Sequence, residues 1–215
     1  MHSKKLFALM GSIALLLVTI SCDASVNKSI RIGDGETSTG GLSSVNGSIR
    51  IGTGATVRGD AETVNGGVDV GDQAKVGDVG TVNGSIDVGT DVVVDGAVES
   101  VNGSVKCDRG TVVRRDVETV NGSIKLAGTT VEGKIETVNG TIVLDRGTRV
   151  VGDVIIQKSR GWGGNRRKAL EIHVRDGSVI EGDVIARGSK RPVVVRLEGG
   201  GRVNGEIRGA EVIER

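Results

Sequence analysis

Few side chains in this sequence are placed for covalent chemistry. The only cysteines are Cys22 and Cys107, and the only histidines are His2 and His173. No Cys/His cluster has metal-ligand spacing, so no metal is expected; no P-loop, dinucleotide fingerprint or calcium-binding nonapeptide is present, so no cofactor is expected either. The acids Asp60, Asp69, Asp87 and Asp153 fall on scattered outward positions, where solvation explains them better than polysaccharide cleavage. In Glu171-Ile172-His173-Val174 the histidine alternates away from the aliphatics and so faces solvent, a poor setting for a general base. The chain is therefore expected not to be an enzyme. What remains is binding chemistry: Trp162 stands among Lys158, Arg160, Arg166, Arg167 and Lys168. An indole beside guanidinium groups suits phospholipid headgroups, peptidoglycan or a protein partner, and a solvated loop with no ligand is the plainer reading.

The elements that would carry such a loop are written in a repeat. Val-Asn-Gly recurs at Val45, Val64, Val82, Val101, Val120 and Val138, at intervals of 19, 18, 19, 19 and 18 residues. A degenerate copy at Val26-Asn27-Lys28 precedes the run and Val203-Asn204-Gly205 follows it. Counting from each valine, aliphatics return at offsets 4, 6, 12 and 16, as in Ile49, Ile51, Val57 and Ala61, so the valine itself is expected to point inward with them. Even offsets mean extended chain. In the 18-residue units the missing residue is expected in the second half. A second signature, Val-x-Gly-x-aliphatic, at Gly59, Gly96, Gly133 and Gly152, gives each coil two glycine-marked bends. With 36 glycines and one proline, no helical stretch is left uninterrupted after the leader. The spacing predicts an all-β fold, a single-stack parallel β-helix (β-solenoid) of about nine coils over residues 26–215, too narrow inside for aromatics.

Asn46-Gly47, Asn65-Gly66, Asn83-Gly84, Asn102-Gly103, Asn121-Gly122 and Asn139-Gly140 are read as structural corners, with Asn27 joining the same column and the amides stacking into a ladder. Several also match the N-glycosylation pattern, for which corner chemistry is the plainer reading. The period breaks at 157–169, the irregular basic loop that holds Trp162, and again around Gly188 to Arg191. Cys107 occupies an inward valine-type position and reads as a small buried hydrophobe.

Lys4 and Lys5 precede an apolar run from Leu6 to Ile20, the layout of a secretory signal over residues 1–21. Val18-Thr19-Ile20-Ser21-Cys22 resembles a bacterial lipobox. The resemblance implies that Cys22 is lipidated, that residues 22–25 form a short membrane tether, and that Asp23 acts as a sorting residue favouring the inner membrane. It places the mature chain in a bacterial cell envelope, on the periplasmic side in a Gram-negative host. The alternative is ordinary signal cleavage.

Without Lys4 and Lys5 the chain carries 26 basic and 27 acidic residues, net −1, which gives no case for nucleic acid. The charge is uneven: residues 22–156 carry 13 basic and 19 acidic side chains (net −6), and residues 157–215 carry 13 and 8 (net +5). Such a rod is a dipole along its length, which could align copies head to tail or merely keep the protein soluble.

Val179-Ile180-Glu181-Gly182-Asp183-Val184 and Val203-Asn204-Gly205-Glu206-Ile207-Arg208-Gly209-Ala210 resemble bactofilins, polymer-forming cytoskeletal proteins. Glu118-Thr119-Val120-Asn121-Gly122-Ser123-Ile124 is similar to the β-strand repeats of adhesin-like domains. The bactofilin resemblance implies a right-handed coil and a homopolymer, although bactofilins are cytoplasmic and this chain carries an export signal. Ile51-Gly52-Thr53-Gly54-Ala55 also resembles the strand-turn phrase of left-handed hexapeptide acyltransferases, but no histidine stands among the internal coils. Three readings follow, in order. The first is a lipid-anchored envelope scaffold that joins end to end. The second is an adhesion or binding module presenting Trp162 and its arginines to an envelope polymer or protein partner, and the third is an acyltransferase-like enzyme.

Overall fold

A computed structural model of the chain describes residues 24–25, 27–158, 169–188 and 191–215. Cys22, Asp23, Arg160, Trp162, Arg166, Arg167 and Lys168 lie outside the described residues. The described chain is a β-solenoid of about nine coils. Its strands form two ten-stranded sheets and one nine-stranded sheet, each running the length of the stack. Each complete coil lays one strand on each of three faces. After Asn83 these are Ile86–Val88 on what we term the second face, Val93–Val94 on the third and Val98–Asn102 on the first. Neighbouring strands are parallel and one coil apart, in a register that stacks like on like: Val79 on Val98, Thr81 on Ser100, Asn83 on Asn102.

The even offsets become columns of one core. Ile49, Val68, Ile86, Val105, Ile124, Ile142 and Ile172 stack on the second face, and Ala61, Val79, Val98, Val117, Ile135, Val154 and Val184 on the first, all fully buried. The side chains are aliphatic because three narrow faces close on each other, so rings would not fit and β-branched residues fill the space in the rotamers that strands favour.

The valines of Val-Asn-Gly do not join that core. Val45, Val64, Val82 and Val120 are half-buried on the outside of the first face, and Val101 and Val138 lie outside the core cluster as well. The inward residue is the one before them. Thr63, Thr81, Ser100 and Thr119 are buried, and their hydroxyls donate to the carbonyls of Gly47, Gly66, Gly84 and Gly103 at 2.8, 2.8, 3.1 and 3.0 Å. The Asn-Gly corner resets the in-out alternation, so the parity counted from its valine holds only from the residues beyond the corner.

Each coil also bends three times, not twice. The additional corner, between the second and third faces, takes a positive φ at Gly54, Gln73, Asp91, Gly110, Gly128, Arg146 and Asp176. Four of these are not glycine, so no glycine motif marks the bend. The two 18-residue units lose their residue at different corners. Val76-Gly77-Asp78 shortens the Val-x-Gly corner, whereas Ala127-Gly128-Thr129 shortens the positive-φ corner of the next such unit, so that Val131 and Ile135 reach the core one position early.

Candidate functional surface

The Asn-Gly edge is built by stacking. Asn46, Asn65, Asn83, Asn102, Asn121 and Asn139 each donate Nδ2–H to Oδ1 of the asparagine one coil earlier, at 2.8 to 3.0 Å, beginning on Asn27. All six bonds point the same way, which leaves Oδ1 of Asn139 as the accepting end, and the Arg191 guanidinium donates to it. A Cβ on Gly103 would lie 1.7 Å from the Gly84 carbonyl oxygen, and one on Gly122 1.9 Å from that of Gly103. These glycines are required by the closeness of successive coils and not by a special φ.

Both breaks in the period fall at this same edge. The described residues that flank them, Gln157-Lys158 with Ala169 and Arg187-Gly188 with Arg191-Pro192, lie in successive coils between a first-face and a second-face strand, as Asn-Gly does in earlier ones. They adjoin: a Cβ on Gly188 would lie 3.8 Å from Cδ of Lys158. Lys158 and Arg187 are exposed here and Arg191 returns to Asn139.

A charge cluster that the sequence does not announce lies on the outside of the first face. Glu62, Glu99, Glu118 and Glu136 share one outward column. Lys134 takes the corner position held by Asp116 one coil earlier, and its ammonium contacts Glu118, Glu136 at 3.0 Å and Asp116 at 3.3 Å. Glu118 and Glu136 are buried. Burial works against the Lys134 charge, but the carboxylates of Glu118 and Glu136 hold the ammonium protonated well above the usual lysine range. One ammonium does not offset so many acids. Burial raises Glu118 despite its bond to Lys134, and burial followed by Glu118, Asp78 and Asp116 pushes Glu99 up to about 7. Glu62 is raised by burial and then by Asp60 and Asp78. The signal was present in the recurring Glu-Thr-Val-Asn-Gly, but only stacking brings glutamates 18 and 19 residues apart side by side.

The acids read as solvated are in part structural. The carboxylates of Asp60, Asp78, Asp116, Asp153 and Asp183 each accept the backbone N–H of the following coil, at 2.7 to 2.9 Å. Asp69 pairs with Arg50 at 3.0 Å and Asp87 is exposed. They thereby satisfy corner donors that the sheet ladders do not reach.

Cys107 is fully buried in the core, and burial pushes its thiol up to about 12, which keeps it protonated and inert. His173 lies on the outside of the second face with Nε2 3.0 Å from Glu171, whose other oxygen faces Arg196 at 3.5 Å. Among the described residues no three His, Cys, Asp or Glu side chains are grouped to hold a metal ion. Scans against protein-family models, curated proteins and solved structures find no match to this chain.

Proposed function

We propose that the chain is a non-enzymatic, lipid-anchored protein of a bacterial cell envelope whose solenoid serves as a structural scaffold and joins end to end with further copies. The observation that carries this reading is the state of the two ends. Val212 stacks on the inward-facing Val195 and is 41% exposed. Ile30 and Ile32 at the other end are only partly buried against the core. Among the described residues no helix covers either terminal coil, and an aliphatic column edged by parallel strands suits stacking with another copy. Anchoring rests on Cys22 and the apolar run before it, with Asp23 as the sorting residue.

Mass spectrometry of the mature N-terminus tests the anchor, and an unmodified or absent Cys22 rejects it. Sedimentation of residues 23–215 over a range of concentrations tests the scaffold, and strictly monomeric particles reject end-to-end joining.

A second reading, a binding module using Trp162, Arg160, Arg166, Arg167 and Lys168, is favoured by the exposed Lys158 and Arg187, which flank the two breaks in the period at one edge of the solenoid. Replacing Trp162 and the three arginines with alanine should release the protein from its envelope partner. Unchanged retention rejects this reading.

A further inference from the structure

The shortened corner at Ala127-Gly128-Thr129 leaves a notch between the longer corners above and below it. A Cβ on Gly128 would stand 3.2 Å from both Cγ of Arg109 and the carbonyl oxygen of Arg146, so the neighbouring corners lean in over the missing residue. The notch opens into a groove of ≈ 560 Å³ on the outside of the second face, lined by Lys106, Lys125, Arg146 and Arg175 with Asp108 and Asp145. Four cations against two carboxylates leave a lining of net +2. Both carboxylates are engaged, Asp108 by Lys106 at 2.8 Å and Asp145 by Arg175 at 3.0 Å. Lys125 and Arg146 have no ion pair among the described residues. Nε of Arg175 is buried and has no hydrogen-bond partner among the described residues. Asp176 stands outside the lining, its carboxyl raised by a hydrogen bond to Asp145.

Cations on a convex surface repel weakly and are solvated singly. Here they converge on one concavity, where like charges reinforce each other and donors are left over. An oxyanion of two negative charges matches the net lining, and guanidinium and ammonium donors suit its several oxygens. We propose that this groove binds a phosphate group, with the exposed Lys125 and Arg146, which make no ion pair among the described residues, supplying the charge. The site is independent of the scaffold reading, and failure of either leaves the other standing.

The test uses the full chain in neutral detergent at low salt, titrated separately with inorganic phosphate, glycerol 3-phosphate and glycerophosphoglycerol and followed by calorimetry. Saturable binding is expected, weakened about ten-fold in the Lys125→Gln/Arg146→Gln double variant and unchanged in Arg31→Gln, which removes a cation elsewhere on the same face. Preference for the first two ligands identifies a free phosphate or monoester. Preference for the third identifies a lipid headgroup, and both outcomes support the site. Both substituted side chains are exposed, and Lys125→Gln alone serves as a milder variant. No saturable binding by any of the three, or equal affinity in wild type and variants, overturns it.

Discussion

Glu99 carries a charge that the fold tolerates poorly. Burial, and after it Glu118, Asp78 and Asp116 with only Lys134 opposing them, push its carboxyl up to about 7 from an ordinary 4.5. A carboxyl raised on folding stabilises the folded state fully below its unfolded value, and that contribution disappears as pH rises through the folded one. The chain should therefore be more stable near about pH 5 than near about pH 8, by at most about 3 kcal/mol from this group. Glu99→Gln should flatten that window and raise stability at the alkaline end, as read by urea denaturation. A pH profile identical to wild type would refute the assignment. Lys134→Met acts in the opposite sense, because it strands Glu118 and Glu136. A loss of roughly 2 kcal/mol at neutral pH, between the values for exposed and buried pairs, is expected and should shrink in acid. Two glycines make a further contrast at this scale. Gly103→Ala drives a Cβ into the Gly84 carbonyl and should cost more than about 3 kcal/mol, whereas Gly80→Ala meets only Glu62 Cγ at 3.6 Å and should stay within about 0.5 kcal/mol. Thermal melts of the pair decide it.

At the scale of the coil, each element answers mainly to its neighbour one period away. The columns at offsets 4, 6, 12 and 16 were legible because burial on one side of a strand forces alternation, and alternation survives any choice among Val, Ile, Leu and Ala. The corners were legible only in part. Asn-Gly is visible because a Cβ at the glycine would strike the coil beneath. The positive-φ corner is filled by Gln73, Asp91, Arg146 and Asp176 as readily as by glycine, so it left no motif and the third face went unseen. Val64 was misplaced for a related reason: a corner can reset parity without changing composition. The glutamate column and the Gly128 notch exist only after stacking, which joins residues that the chain keeps a full period apart. Nearest-neighbour stacking also sets a test. Excising residues 102–120 joins Val101 to Asn121 and keeps every remaining strand in register, so the shortened chain should retain its β circular dichroism and melt cooperatively. Removing only half of that span places third-face sequence on the second face and should abolish the fold. If both deletions behave alike, the coil is not the folding unit.

For the whole molecule, the charge asymmetry and the terminal coils suggest different modes of association. The net +5 of residues 157–215 resides in the insertions and their coil: residues 192–215 contain four basic side chains (Arg196, Arg202, Arg208, Arg215) and four acidic ones (Glu198, Glu206, Glu211, Glu214), net zero. Residues 27–44 at the other end are likewise balanced, Lys28 and Arg31 against Asp34 and Glu36. The surfaces that would meet are thus nearly neutral. Added salt screens whatever attraction the charges farther along the rod supply and leaves apolar contact in place. A contact made by Val212, Ile207 and the terminal strand edges should therefore persist when salt is raised from about 0.05 M to about 0.5 M, and Val212→Asp should disrupt it by placing a carboxylate on the end of the aliphatic column. Sedimentation velocity across that salt range separates the alternatives. Assemblies that dissolve in salt yet survive Val212→Asp would assign cohesion to the dipole of the rod and leave the terminal coil as an ordinary frayed end.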